Sequence, residues 1–368
     1  MNKYNLKDIN ITNTAFLILT PIIAIASLVA WLLTASFDVN VVLFIVATYI
    51  VSGISITAGY HRLFAHKTYE SNAFIKFLFL ILGATAFQNS VLKWASDHRL
   101  HHSKVDSEDD PYNINEGFFF AHMGWIFLNK NSDIKTRYAK DMLKDKLIMW
   151  QHNHYTSIAV FFGIVIPAVS AFYLFGNIYA AIACVFVRIT LVHHCTFFIN
   201  SLCHVFGSTP YTDTNSAKDN WFMAYFTFGE GYHNFHHFFQ TDFRNGIHWY
   251  DFDPTKWLIK TLSHAKLATN LKVTPKRSIL KARLTMRMLA VEDISSKKLS
   301  DLEELQKQIL ESLKNIENFK NELKLKKREF DSFSKKLMKR KISQAKKELQ
   351  FHLVLWKLSI KKLEQSYI

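Results

Sequence analysis

The stretch from Ala15 to Thr34, AFLILTPIIAIASLVAWLLT, decides the fold, because it is uncharged and about as long as a helix must be to cross a bilayer. Further apolar runs follow at about 41–59, 156–174 and 178–198. Short links without lysine or arginine, Ser36–Asn40 and Phe175–Asn177, join the runs in pairs. The sequence therefore predicts an all-α membrane protein with four transmembrane helices in two hairpins. A soluble protein would need four buried helices of unusual length.

The segment between the hairpins, Phe74 to Leu92, is apolar but is interrupted by Lys76, Gln88 and Asn89. Such a pattern is typical of a helix that lies in the membrane interface rather than across the bilayer. We therefore expect one interfacial helix here, which would begin a cytosolic helical cap.

Lysine and arginine are concentrated in the N-terminus, in residues 62–154 and after Lys218. By the positive-inside rule, these three regions are expected to face the cytoplasm together. Both termini, and any site built on residues 62–154 and after Lys218, would then be cytoplasmic, in a bacterial inner membrane or the endoplasmic reticulum.

The formal net charge of +15 is spread along the chain, with a large share in the tail after Pro275. We find no nucleic-acid motif and expect no nucleic-acid partner. The three cysteines, Cys184, Cys195 and Cys203, suit a reducing compartment and are interpreted as packing residues. The N-terminus lacks the order of a signal peptide, so the first apolar run is expected to remain in the mature protein.

Clustered histidines are the second strong signal. They occur in HRLFAH at 61–66, HRLHH at 98–102 and HNFHH at 233–237, with His204 just beyond the predicted fourth span. Histidines three and four positions apart share one helical face, so each HxxHH block can present several ring nitrogens to a metal. The spacing of five between His61 and His66 turns the second ring off that face. We therefore expect the helix to end between them, or the two to serve different ions.

These clusters hold nine imidazoles, which exceeds the shell of one ion, so the sequence predicts two metals. Imidazole suits Zn, Cu, Fe and Ni alike, so the ligand type leaves the metal open. A ferritin-type carboxylate site would need Glu-x-x-His pairs inside bundle helices, and only Glu230 and His233 show that spacing. His193 and His194 are interpreted as supporting or packing residues. The isolated histidines, His122, His152, His154, His248, His264 and His352, are interpreted as hydrogen-bonded or exposed.

The order of these motifs, with four spans between them, resembles the membrane-bound acyl-CoA desaturase family of the delta-9 (stearoyl-CoA) type. Further matches are Ala58-Gly59, Phe87-Gln88-Asn89, Trp94, Asp110-Pro111, Gly117 to Trp125 and Arg244 to Trp249. Together they cover roughly Ile11 to Leu262. The expected domains are a desaturase domain over 1–270 and a charged helical extension over 271–368.

The resemblance implies a centre of two Fe2+ ions, with O2 as co-substrate. The implied ligands are His61, His66, His98, His101, His102, His204, His233, His236 and His237, with Asn200 reaching one ion through a water. Glu230, Asp97 and Asp219 are candidate carboxylates that fix the tautomers of the imidazoles.

The resemblance also implies a narrow, kinked tunnel for the acyl chain, with Gln88, Trp94 and Thr196 at the kink. Tyr49 matches the family position that closes the tunnel. Counted back from His61 along a helix, Gly53 lies about 12 Å and Tyr49 about 18 Å deeper. Arg62, Arg99 and Lys130 are candidate contacts for the phosphates of an acyl-CoA headgroup.

The implied reaction is O2-dependent insertion of a cis double bond, of the delta-9 type, into a long-chain acyl thioester carried by CoA or acyl carrier protein. Removing two hydrogens from an unactivated alkyl chain needs a redox metal, because acid–base catalysis cannot do it. The sequence has no nucleotide-binding loop, CxxC motif or haem motif, so an external electron donor such as cytochrome b5 or ferredoxin is expected. An acyl-lipid desaturase and a di-iron hydroxylase are alternatives, and a metal transporter or inactive metal-binding scaffold are more remote ones.

From Ser300 the chain is charged, with apolar residues three and four positions apart, a pattern typical of a coiled coil or amphipathic helix. The apolar positions are Leu302, Leu305, Ile309, Ile316, Phe319, Leu323, Phe330, Phe333 and Leu337. Breaks are expected at Ser312 and Lys326. Self-association, a cytosolic partner and contact with anionic lipid all remain open for this tail.

Overall fold

The structure is a computed structural model that describes residues 6–129, 133, 136–291, 296–325 and 332–365. The chain divides into two compact units, one formed by residues 1–208 and 214–273, the other by residues 209–213 and 274–368. Within the described residues, regular structure is almost entirely helical, which confirms the predicted fold class.

In the part of the chain that the structure describes, four helices are long and apolar enough to cross a membrane, as predicted: α1 (Ile11–Thr34), α2 (Val39–Ala65), α8 (Tyr155–Phe175) and α9 (Ile178–Val205). The helices of the cap are α3 (Ala73–Ala84), α4 (Val91–Lys104), α5 (Phe118–His122), α6 (Thr136–Ala139), α7 (Lys146–Asn153), α10 (Trp221–Phe226), α11 (His233–Phe238) and α12 (Pro254–His264). Strands β1 (Glu70–Ser71) and β2 (Ala268–Thr269) form a short antiparallel pair.

Local sequence explains why each hairpin turns in so few residues. The side chain of Asp38 accepts from the backbone N–H of Asn40 and caps α2. Gly176 ends α8 in the left-handed region, at φ 63°, where glycine carries no steric penalty. Asn177 then accepts from the N–H of Ala180 and caps α9. Each pair of spans is therefore joined by a capped, tight link.

A buried arginine inside the bundle connects three of the membrane elements. Arg188 of α9 is 1% exposed. Its guanidinium donates to the hydroxyl of Ser52 (3.0 Å) and to the carbonyl oxygens of Thr85 (2.6 Å) and Gly163 (2.5 Å). Gly163 lies in a π-helical turn of α8, Phe161–Val165, and Thr85 follows the end of α3. Arg188 therefore satisfies carbonyl groups at irregular points of the backbone, where apolar surroundings offer few partners.

The predicted interfacial helix from Phe74 to Leu92 is wrong in extent. Helix α3 ends at Ala84 and α4 begins at Val91, with the Ser90 hydroxyl accepting from the N–H of Lys93. Between them Phe87 and Asn89 adopt positive φ angles of 54° and 72°. The break turns the chain so that α4, which carries the second histidine block, is a separate helix.

Spans two and four both run further than predicted. Helix α2 continues to Ala65 and α9 to Val205, beyond the expected ends at 59 and 198. His204 therefore lies on the last turn of α9 rather than beyond it. The added turns carry histidines into the cap without an intervening loop.

The second unit contains α13 (Lys276–Leu289), α14 (Ser296–Leu325) and α15 (Ser332–Gln365). Its apolar core includes Leu284, Met288, Leu302, Ile309, Trp356, Ile360 and Leu363. Helices α14 and α15 pack side by side, with Ser312 near His352 and Lys341 over the ring of Phe319. The predicted break at Ser312 is wrong, because this residue is buried within a continuous α14. The predicted break at Lys326 lies outside the described residues.

Candidate metal centre

The last part of α2, Ser55–Ala65, is a π-helix, and this winding brings His61 and His66 together. The backbone N–H of His66 donates to the carbonyl of His61 at 3.0 Å, the i→i+5 bond that defines a π turn. The two ring centroids are 4.8 Å apart. The helix ends at Ala65, between the two histidines, which is one of the two expected alternatives, and its wider last turn brings the ring of His66 back beside that of His61.

The other histidines come from the ends of three helices. His98, His101 and His102 lie on the last two turns of α4, and His233, His236 and His237 form the face of the short α11. His204 lies one turn after Asn200 on α9, so the two share a face of that helix. All nine predicted histidines therefore converge on one place in the cap.

The nine rings divide into two sets. The five-histidine set is His61, His66, His98, His102 and His236, and the four-histidine set is His101, His204, His233 and His237. Within each set one possible ligand atom per residue lies within 4.8 Å of all the others. Each HxxHH block contributes to both sets, so neither block serves one ion alone.

Distances between ring nitrogens test whether a metal fits. In the five-histidine set, Nε2 of His66 lies 2.7 Å from Nε2 of His98, and Nε2 of His236 lies 3.0 Å from that of His61 and 2.9 Å from that of His102. In the other set, Nε2 of His233 lies 3.0 Å from that of His204 and 3.1 Å from that of His237. Two nitrogens at right angles on one ion, each about 2.1 Å from it, lie about 3.0 Å apart. Each set therefore has the spacing of ligands around a single ion.

Six of the rings outside the spans are also held in the protonation state that a metal requires. Burial, and then the neighbouring histidines, lower the pKa of His66, His98, His102, His233, His236 and His237 well below the usual value. Neutral imidazole is the form that binds metal. The two sets are therefore two candidate metal sites.

Two carboxylates contact the Nδ1 atoms of histidine rings, on the side of each ring away from Nε2. Glu230 Oε2 lies 2.8 Å from Nδ1 of His61, within reach for the role proposed for this residue from the sequence. Both carboxylate oxygens of Asp110 lie 2.9 Å from Nδ1 of His101. Such contacts fix the tautomer and direct Nε2 toward the ion.

Sequence reasoning missed Asp110 and Asp106 in this role. Ser216 Oγ lies 2.7 Å from Nδ1 of His204 and donates to Asp106 at 2.5 Å, so Asp106 acts through the serine. The Asp110-Pro111 match was a signal for the first. Ser216 and Asp106 are distant in sequence and left no comparable signal.

The other two predicted carboxylates occupy different positions. Asp97 lines the cavity beside the histidines and pairs with Lys93 at 2.5 Å. Asp219 accepts from the backbone N–H of Phe235 at 3.0 Å and so holds α11, and burial raises its pKa to about 7. Their action on imidazole tautomers stays a prediction.

The structure contradicts the predicted headgroup role of Arg62. This residue is 1% exposed, and its guanidinium donates to Glu230 (2.9 Å), Asp253 (3.1 Å) and the carbonyl of Phe243 (2.8 Å). Burial alone would raise the pKa of Glu230, but Arg62 and His61 hold it below its usual value. Arg62 therefore supports the carboxylate that orients His61, and a soluble phosphate cannot reach it.

The remaining headgroup candidates are less direct. Arg99 donates to the carbonyl oxygens of Phe64 and Ala65, both at 2.8 Å, and pairs with Asp141 at 2.6 Å. These contacts tie α4 to the end of α2, so its headgroup role stays a prediction. Lys130 lies outside the described residues.

One cavity adjoins the histidines and is lined by all five predicted tunnel residues, Tyr49, Gly53, Gln88, Trp94 and Thr196, together with Asn200. Trp94 Nε1 donates to Gln88 Oε1 (3.1 Å), and Gln88 Nε2 donates to Thr196 Oγ1 (2.9 Å). These bonds fix the wall that the α3–α4 break creates.

Aromatic residues line this cavity beside α2, among them Tyr49 and Phe228. The Tyr49 hydroxyl donates to the carbonyl of Phe226, and its ring centroid lies 5.3 Å from that of Phe228. A Cβ on Gly53 would come within 2.1 Å of the Phe228 ring. Glycine at position 53 therefore allows Phe228 to sit against α2.

Replacing Asp110 by asparagine is expected to lower metal affinity about 10–100-fold, because His101 loses the carboxylate that fixes its tautomer. Metal content would be measured during dialysis against a chelator. Asp109→Asn is the matched control, since the Asp109 side chain is 72% exposed. Equal retention of metal in both variants would show that Asp110 does not act on the site.

Comparison with known proteins gives consistent matches. A model of the fatty acid desaturase family matches residues 12–269. The chain is 39% identical over 254 residues to a Schizosaccharomyces pombe protein named "Probable acyl-CoA desaturase", covering 67% of this chain and 52% of that protein. It is 42% identical over 249 residues to Acyl-CoA desaturase 1 of Saccharomyces cerevisiae, covering 66% and 48%.

A mammalian relative is covered more fully. The chain is 32% identical over 270 residues to Stearoyl-CoA desaturase 2 of Rattus norvegicus, covering 72% of this chain and 75% of that protein. The chain spans about half the length of the two yeast proteins. In each of the three alignments, about a quarter or more of this chain has no counterpart in the relative.

Proposed function

Because this chain belongs to the fatty acid desaturase family, we propose that it is an O2-dependent acyl desaturase that inserts a cis double bond, of the delta-9 type, into a long-chain acyl thioester. One observation carries the proposal: two sets of imidazoles, spaced for two ions, adjoin a cavity that enters the helical bundle. The names of the relatives support an acyl-CoA as the thioester.

The two sets would hold two iron ions, with five imidazoles for one and four for the other. Asn200 shares a helix face with His204, which supports its role as a ligand through water on the four-histidine side. Iron bound there would supply the oxidising power, drawn from O2, that an unactivated alkyl chain requires.

The residues of the chain would orient the histidines and the acyl chain. Glu230, Asp110 and Ser216 hold their histidines by Nδ1. The bonded Trp94, Gln88 and Thr196 give the cavity a fixed wall, which supports a bent path for the acyl chain. A fixed bend would present one pair of neighbouring methylenes to the ions, which is how one bond among many similar ones can be chosen.

The proposal includes two partners besides the substrate and the membrane lipid. Electrons would come from an external carrier such as cytochrome b5 or ferredoxin. We place the ions, both termini and this carrier on the cytoplasmic side, because lysine and arginine are concentrated in the regions that carry the histidines.

Expression of the full chain in a host that lacks delta-9 desaturation tests the proposal. Chromatography of fatty-acid methyl esters is expected to show a new cis monounsaturated acid with the double bond at carbon nine. A hydroxylated acid would indicate a hydroxylase instead. Iron-loaded protein that yields neither product with electrons supplied would contradict the proposal.

Replacing Tyr49 by alanine is expected to shift the product toward longer acyl chains, because the ring that is expected to close the tunnel is removed. The ratio of C18 to C16 products, taken from the same esters, should rise about tenfold, the lower end of the range for one methylene in an apolar pocket. Tyr173→Ala is the control, since Tyr173 is 88% exposed. An unchanged ratio in Tyr49→Ala would exclude Tyr49 as the end of the tunnel.

A further inference from the structure

Helix α15 has apolar residues on two opposite sides. One side is packed and includes Met338, Trp356 and Ile360, which are 6%, 1% and 6% exposed. The other side, called here the outer face, carries Phe333, Leu337, Phe351, Val354 and Leu358, which are 72%, 45%, 60%, 43% and 51% exposed.

The spacing of these five side chains defines a stripe. Phe351, Val354 and Leu358 are three and four positions apart, as are Phe333 and Leu337, so each group shares a side of the helix. Phe333 and Phe351 are separated by about five full turns, which returns them to the same side. The stripe therefore consists of two apolar groups on the side of α15 opposite its packed side, and by the same periodicity Arg340, Gln344 and Lys347 lie between them.

The same helix is strongly basic. It carries ten lysines and arginines against two glutamates. Nine of the ten are exposed: Lys336, Lys339, Arg340, Lys341, Lys346, Lys347, Lys357, Lys361 and Lys362. By helical periodicity Lys347 precedes the group Phe351, Val354 and Leu358 on the same side of the helix, and Lys361 and Lys362 follow it. The neighbouring α14 has six basic and six acidic residues, so the excess charge belongs to α15 itself.

We propose that the outer face of α15 lies on a bilayer surface that contains anionic lipids. Phenylalanine, leucine and valine would enter the boundary between headgroups and acyl chains, and the bordering lysines would pair with lipid phosphates. An apolar stripe bordered by lysine is the pattern of helices that lie in a membrane interface. A basic cluster on such a helix selects anionic headgroups.

Covalent connection favours a membrane over a cytosolic protein as the occupant. The unit that contains α15 has its main segment from residue 274 onward, and this segment follows directly in the chain after residue 273 of the unit with the four spans. A face tethered to a membrane-spanning unit meets the bilayer surface at high effective concentration, so modest affinity is enough for lasting contact. A soluble partner would have to compete with that surface.

The test uses the full chain in lipid discs that hold one chain each, made of phosphatidylcholine alone or mixed with phosphatidylglycerol. An environment-sensitive dye on Phe351→Cys reports contact with lipids that carry a quencher in the headgroup region. Lys307→Cys on α14, whose side chain is 80% exposed, is the matched site. Dye bound to the native cysteines is measured on the unsubstituted chain and subtracted.

Strong quenching at position 351 in the anionic discs, weak quenching there in neutral discs and weak quenching at position 307 in both are expected. Lys347→Gln with Lys361→Gln should weaken the contact roughly fivefold for each lysine. Lys314→Gln with Lys320→Gln on α14 should leave it unchanged. Added salt should weaken the contact in the unsubstituted chain.

Two outcomes overturn the proposal. Equal quenching in neutral and anionic discs, including none in either, removes the anionic surface as the occupant. Shielding of the dye from a water-soluble quencher without quenching by lipid indicates a protein contact instead. Desaturation assayed on the same discs reports separately on the proposed function, because the lipid contact is read without turnover.

Discussion

Replacing His101 by alanine is expected to leave one bound ion per chain in place of two and to lower desaturation by more than about 100-fold. Removing a group that hydrogen-bonds a metal ligand typically lowers metal affinity or activity about 10–100-fold, and removing the ligand itself should lower them further. His101 belongs to the four-histidine set, so the five-histidine set should keep its ion. His66→Ala should give the reverse, with loss of the other ion. Metal analysis of the purified protein and product analysis check both results.

His264→Ala provides the control, because this exposed histidine at the end of α12 belongs to neither set. It should keep both ions and full activity. A His101→Ala protein with two ions and unchanged desaturation would remove the basis of the proposed centre. Loss of both ions in each variant would instead show that the two sites fill only together.

The second large effect concerns the buried Arg62. Arg62→Met should destabilise the protein by about 3–5 kcal/mol, because Glu230 and Asp253 would remain buried without their cation. Arg62→Lys should be intermediate, since a lysine cannot replace a guanidinium that binds several oxygens at once. Thermal unfolding in detergent, with iron content measured in parallel, checks both.

Lys67→Gln is the matched control for this pair. Lys67 bonds Asp141 at 2.6 Å, but the two side chains are 56% and 38% exposed. Exposed pairs of this kind contribute about 0–1 kcal/mol, so the control should unfold close to the unsubstituted protein. Equal stability of Arg62→Met and Lys67→Gln would mean that the buried network does not support the fold.

Hydropathy was sufficient to predict the four spans, because runs such as Ala15 to Thr34 have the length and composition of a membrane helix. The caps at Asp38 and Asn177 and the left-handed Gly176 are also features that local sequence explains. These elements depend on short-range chemistry, so they can be read from the chain directly.

The break between α3 and α4 depends on tertiary structure. Phe87 and Asn89 take positive φ angles that a side chain disfavours, and contacts across the bundle must hold them there. One signal was present in the sequence, since Ser90 before an apolar residue is a typical N-cap. Arg188 gives no such signal, because nothing in the sequence shows that it reaches carbonyl groups of two other segments.

The sequence predicted two metal ions, but it did not predict which histidines would form each of the two sets. Nine imidazoles in four pieces suggested two ions. The split of His98, His101 and His102 between two sets follows from how α4 is placed against α11 and α9, which helical spacing alone does not give. For the same reason the buried role of Arg62 was missed, since its neighbours Glu230 and Asp253 are far along the chain.

The π-helical end of α2 affects which changes of chain length this protein can tolerate. Five positions separate His61 and His66, and the wider winding compensates for one residue beyond the spacing that an α-helix would use. A deletion of one residue between them, combined with a return to regular winding, would leave both rings on the same side. An insertion of one residue would fit neither winding. This segment can therefore lose one residue and keep the two rings together, but it cannot gain one.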